Sequence, residues 1–197
     1  MAKTKAPLFS LEARGALGEA IVYFPWKGIN AVRQYVIPTN PKSTLQTSQR
    51  NKLTNAVNEF HNAAYSAADM SAWIRYAGTL AKVMTGFNAM CQSHIKAIVA
   101  NAAAVWNSLS QVTTSNVTAN SFSVAPAKAT SADTYKLFYG TKGTYMPNEV
   151  ADSGIDPAVL FALTGLTANT DYYFYIKATA ANSVARTGIY KQRTASS

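Results

Sequence analysis

Apolar residues recur in three different rhythms along this chain. Before residue 40 they form two short runs, 20–24 and 31–37, rich in β-branched and aromatic side chains. Pro25-Trp26-Lys27-Gly28 between them has turn chemistry, so the pair predicts a β-hairpin. One hairpin alone is marginal in water, so it must pack on the following helices or add to another subunit's sheet. Pro38-Thr39-Asn40-Pro41 then stops the second strand, and the rhythm changes to three and four. Ser43 or Thr44 can cap a helix to about 67, with Leu53, Ala56, Val57 and Phe60 on one face. Asp69 can cap a second helix to about 84, carrying Trp73, Ile74, Ala77, Leu80 and Val83. Gly86 breaks it. A third helix is predicted over 87–108, with Ile95, Ile98, Val99, Ala102, Val105 and Trp106 as a wide stripe.

After residue 112 alternation takes over. The stretch 112–118 is β-prone and polar, and strand-like runs at 121–125, 134–139, 159–163, 171–178 and 185–193 are separated by turns. That spacing is the pattern of a β-sandwich. The expected architecture is two-domain, α+β then all-β. Residues 1–111 form a hairpin and about three helices behind an extended N-terminal arm, and 112–197 form the sandwich, joined near 109–116.

Composition adds an asymmetry. Of 197 residues, 48% are apolar and only 14% charged, a surface suited to packing against neighbouring subunits. The net charge of +9 is uneven, with +7 on residues 1–112 and +2 on the rest. Such an excess favours anionic partners: nucleic acid, an acidic protein surface or lipid headgroups. The bland alternative is a solvated basic surface. The single Cys91 excludes an intrachain disulfide and reads as a buried filler. The opening stretch lacks the apolar core of a secretory signal, and no run of 18 apolar residues exists. The expectation is a protein made in the cytoplasm, with no membrane span.

Two resemblances follow from particular residues. Leu163-Thr164-Gly165-Leu166 and Thr170-Asp171-Tyr172, followed by alternating Phe174 and Ile176, resemble the fibronectin type III signature. The resemblance implies that Tyr172 closes a corner against nearby backbone, with Leu166 before it, and that the module binds or displays rather than catalyses. The tryptophan usual on the second strand is absent, with Pro126 near its place, so that strand is expected to be short or at an edge. The N-terminal part is similar to a family of small proteins encoded by tailed bacteriophages and prophages. It matches at Pro7-Leu8, Gly15-Ala16-Leu17-Gly18, Val22-Tyr23, Trp26-Lys27-Gly28, Val32-Arg33, Pro38 with Asn40-Pro41, Gln46 and Arg50, and more weakly at 85–88, a span of roughly residues 7–96. That likeness implies a virion component.

No catalytic set emerges. His61 and His94 lie far apart, Cys91 and His94 lack the further ligands a zinc site needs, and the serines lack a neighbouring base. Gly15 and Gly18 are not followed by the Lys-Ser/Thr of a phosphate loop. No enzyme activity, cofactor or metal is expected. Tyr172-Tyr173-Phe174-Tyr175 invites a glycan-binding reading, but alternation sends half of these inside. The residues placed at a contact surface are Lys3, Lys5, Trp26, Lys27, Arg33, Lys42 and Arg50, for assembly or for an anion. The sequence thus predicts a virion structural protein for capsid decoration, neck or tail. Its partners would be its own copies and other virion proteins, with a host glycan or protein on the sandwich. The alternative is a basic protein that packs along DNA.

Overall fold

The predicted hairpin is the middle of a four-stranded antiparallel sheet. The computed structural model describes residues 2–3, 14–129, 134–153, 159–180 and 183–196. Strands β1 (Ala2–Lys3), β2 (Gly15–Leu17), β3 (Ile21–Trp26) and β4 (Ile29–Gln34) stand in the order β1-β4-β3-β2. Lys27 (φ 50°) and Gly28 (φ 78°) alone make the β3–β4 turn. Two successive positive-φ residues give the primed turn whose twist matches the flanking strands. Pro25, expected in the turn, instead pairs with Asn30 inside the ladder.

Among the described residues three helices form, each shorter than expected. Helix α1 is Thr44–Asn62, α2 is Ala67–Gly78 and α3 is Gly86–Ala100. Ser66, not Asp69, caps α2. Asp69 stands three residues in, and the two side chains bond each other's backbone N–H in a capping box. Thr85 caps α3 by accepting from the Asn88 N–H. A methyl at Gly86 would lie 3.0 Å from the Ile74 backbone nitrogen, so glycine there lets α3 start against α2. Ala56, Trp73, Met90 and Cys91 form the buried centre of the three helices, with Phe60, Tyr65 and Phe87 around it. Trp106 is not on the third helix. It lies in β5 (Val105–Trp106), parallel to β12 (Ser183–Val184).

The remaining strands build a sandwich. β6 (Ser110–Ser115), β7 (Phe122–Lys128) and β10 (Phe161–Leu163) form one sheet in the order β10-β7-β6. β8 (Tyr135–Gly140), β9 (Asn148–Ala151), β11 (Asp171–Ala178) and β13 (Tyr190–Arg193) form the other, in the order β13-β11-β8-β9. Phe122, Val124, Leu137, Phe161, Leu163, Phe174 and Ile176 are buried between them. Strand β7 is neither short nor at an edge, contrary to the expectation from Pro126. The pairing with β10 ends at Val124, so among the described residues Pro126 is paired with Val112 on β6 alone. The missing N–H falls where β7 has one neighbour.

The contacts divide the chain into Met1–Ser43 and Thr44–Ser197. The expected boundary at 111/112 falls inside the larger unit, because α2 is bonded into the sandwich. Asp69 is fully buried, and its Oδ2 accepts from the Ser66 N–H (2.8 Å), the Ser66 hydroxyl (2.9 Å) and the Gln111 N–H (2.8 Å). Its Oδ1 accepts from the Val112 N–H (3.3 Å) and the Tyr190 hydroxyl (2.5 Å). Gln111 is skipped by the β6–β7 ladder and has φ 55°, a left-handed conformation unusual for a side-chain-bearing residue. That twist aims its N–H at Asp69 instead of along the sheet. The Ile189 N–H also donates to the Ala72 carbonyl at 2.9 Å. A methyl on Gly188 would come within 2.4 Å of the Ala72 carbonyl carbon, so the backbone of α2 lies directly on this segment.

Candidate functional site

The small sheet of residues 1–43 carries most of the contact residues predicted from sequence. Its strands are apolar on both faces. Register puts Val22, Phe24, Trp26, Ile29, Ala31 and Arg33 on one side, and Leu17, Ile21, Tyr23 and Val32 on the other. A sheet covered on one side alternates, whereas one covered on both sides reads as a continuous apolar run, as Ile21–Trp26 does. Yet Ala31 is the only buried residue among the described residues of this unit. Trp26 is 55% exposed, Leu17 53% and Ile29 44%.

The basic residues are spread over this sheet rather than gathered. Lys27 is at the turn. Arg33 is near the hairpin's open end, its guanidinium carbon 5.4 Å from the Phe24 ring centroid. Lys3 pairs with Ala31 in the register of β1 and β4. Lys42 is exposed beyond the sheet at φ 46°, its N–H donating to Asn40 Oδ1 at 3.4 Å. Arg50 is on α1, in the other unit. Lys5 and most of the arm lie outside the described residues. Leu17 and Ile29 are exposed on this sheet but are not among the contact residues expected from sequence, although the unbroken run in β3 signals a sheet with two apolar faces.

The chemistry-bearing residues of the larger unit are structural in placement. Cys91 and His94 are buried on α3. Burial raises the Cys91 thiol pKa and lowers that of His94, the second opposed by the Glu59 charge. The His94 ring lies 5.0 Å from the Trp106 ring, and its buried Nδ1 has no hydrogen-bond partner among the described residues. His61 is exposed beside Phe60. Among the described residues, no three His, Cys, Asp or Glu are grouped to hold a metal ion, and no helix is long and apolar enough to cross a membrane. Tyr172 is buried, and its hydroxyl accepts from the Thr167 N–H at 3.0 Å, with Leu166 buried beside the turn. The next residues alternate: Phe174 and Ile176 are buried, whereas Tyr173 and Tyr175 lie on the outer face.

Among the described residues, seven strands in three and four, with that tyrosine corner, define the part of the chain after residue 109 as a fibronectin-type-III-like β-sandwich. No protein-family model matches the chain, and no curated protein matches it in sequence. Solved structures similar to it include a myokine structure, 17% identical with a TM-score of 0.37 over 43% of this chain and 93% of that one. The central fibronectin-III array of RIM-binding protein is 18% identical, with a TM-score of 0.35 over 47% and 32%. Domains d3–d4 of the rat CD45 extracellular region are 21% identical, with a TM-score of 0.35 over 44% and 48%.

Proposed function

We propose that this chain is a bacteriophage virion structural protein that attaches to its own copies or to other virion proteins through residues 1–43, and presents the sandwich. The carrying observation is the small sheet with two apolar faces and a single buried residue among those described. Exposed apolar area of this kind is stabilised when another polypeptide covers it, at roughly 25 cal/mol per Å² removed from water. Among the described residues, strands β1 and β2 each pair on one side, which leaves the other side for strand addition. Lys27 and Arg33 stand at opposite ends of the hairpin, which favours protein contacts over a continuous phosphate track. The virion setting rests on the sequence likeness of residues 7–96. In purified virions, mass spectrometry should find the protein, and deletion of residues 2–43 should remove it from particles while the larger unit stays folded. Absence of the wild-type chain from virions, or normal incorporation of the deleted chain, would overturn this reading.

A further inference from the structure

Arg186 stands out as a cation without an anion. It follows β12 and bridges to Lys177 on β11. Its guanidinium carbon is 4.1 Å from the Tyr76 ring centroid on α2 and 4.5 Å from the Tyr175 centroid on β11. Its Nε is buried, and among the described residues it has no hydrogen-bond partner and no carboxylate pairs with the side chain. Aromatic contacts use the faces of a guanidinium and leave its edge N–H groups to bond elsewhere.

Arg186 lines a cavity of about 270 Å³ in the larger unit, together with Thr79, Thr144, Met146, Tyr175 and Ile189. The Thr79 hydroxyl donates to the Tyr76 carbonyl at 2.7 Å, so its oxygen is left only as an acceptor. The Thr144 hydroxyl has no partner among the described residues. It sits in the turn closed by the Tyr145 N–H on the Lys142 carbonyl (3.2 Å). A methyl on Gly143 in the same turn would touch the Tyr173 ring at 3.4 Å, so the turn is seated on the sheet. The lining therefore offers one fixed positive charge, one free hydroxyl, an apolar wall from Met146 and Ile189, and no acid.

We infer that this cavity is a binding site for a small organic carboxylate, held by Arg186 and Thr144. A guanidinium edge matches the two oxygens of a carboxylate in a bidentate fork. A single cation suits a monoanion better than a dianionic phosphate, and the cavity is near the lower end of the usual range for small-molecule sites. The site uses nothing from residues 1–43, so it stands apart from the attachment reading.

The probes are sodium acetate and sodium phosphate, titrated at constant ionic strength into the full chain and followed by NMR at the Arg186 Nε–H and the Thr144 amide. Acetate should give saturable shifts at both. Read at the Thr144 amide, which every variant keeps, Arg186→Gln should abolish the shift, Arg186→Lys should weaken binding by about tenfold or more through loss of the fork, and Thr144→Val should weaken it by a few-fold. Thr144→Val is a turn substitution that keeps the test usable if Arg186→Gln does not fold. No saturable shift, an unchanged affinity in Arg186→Lys and Thr144→Val, or tighter binding of phosphate than of acetate would overturn the inference.

Discussion

The two sheets that flank the helices in sequence solve the same physical problem differently. In the sandwich, strand β11 alternates: Tyr172, Phe174 and Ile176 are buried, while Tyr173, Tyr175 and Lys177 face out. One face meets the opposing sheet, and the charged or aromatic groups of the other are used locally. Lys191 pairs with Asp171 at 2.9 Å, and Phe138 stacks on Tyr175 at 5.1 Å. The sheet of residues 1–43 has no such division. Its central strand β3 is apolar throughout, and none of its six residues is buried. The sandwich finishes its core within the chain. The small sheet has the composition of a core strand, yet its β3 residues are half-buried or exposed, and that contrast is what motivates the proposal that another molecule covers it.

The largest effect that would sharpen this contrast lies at Asp69. Asp69→Ala leaves the Gln111 and Val112 N–H groups and the Tyr190 hydroxyl without their acceptor. Each buried unsatisfied donor costs about 1–3 kcal/mol, so the larger unit should lose about 3 kcal/mol or more in chemical denaturation. A loss under 1 kcal/mol would show that α2 and the sandwich are not joined through this carboxylate, and would restore a boundary near residue 111. The exposure of the small sheet should be unaffected.

Next in size is the alkaline limb of stability. Burial first, and then the Asp69 charge, raise the Tyr190 pKa above its ordinary 10.0. Tyr65, packed nearby, is raised too, by burial first and then by Glu59 and Asp69. A raised folded pKa means the unfolded chain loses its proton first. The contribution is therefore present below pH 10 and lost as pH rises beyond it. The slope should be about 1.4 kcal/mol per pH unit for each such tyrosine. Tyr190→Phe should flatten the fall in stability between pH 11 and 12 by about that amount. An unchanged slope would place Tyr190 outside the buried set.

The smallest effect is at the corner. Tyr172→Phe removes the acceptor for the Thr167 N–H and should cost about 1 kcal/mol in the melting of the larger unit. No change would mean that ring burial alone holds the turn.

How legible these features were depended on the range of the interaction. The corner is local, with donor and acceptor five residues apart, so Leu166 and Tyr172 could be picked out by motif. The hairpin was equally local, although its two-residue turn kept Pro25 and Trp26 within β3. Ser66-Ala67-Ala68-Asp69 carries the spacing of a capping box, and reading Asp69 as the cap itself missed Ser66. The joining role of Asp69 had no sequence signal, because Gln111 and Tyr190 lie 42 and 121 residues away. Trp106 kept a helical spacing from Ala102 and Val99, yet α3 stops at Ala100 and leaves Trp106 to a strand. Strand β9 escaped because Asn148-Glu149-Val150-Ala151 is polar, with only Val150 against the core. Arg186 gave no hint in sequence, since both of its rings come from distant elements.

The most direct test of the attachment claim is amide hydrogen exchange of the full chain, measured once as a dilute isolated protein and once in purified particles. The account predicts that residues 21–34 exchange far faster than 171–178 in the isolated chain, and slow by at least about tenfold in particles, because only there is the sheet covered. Protection of residues 21–34 in the dilute monomer equal to that of 171–178, unchanged in particles, would contradict it.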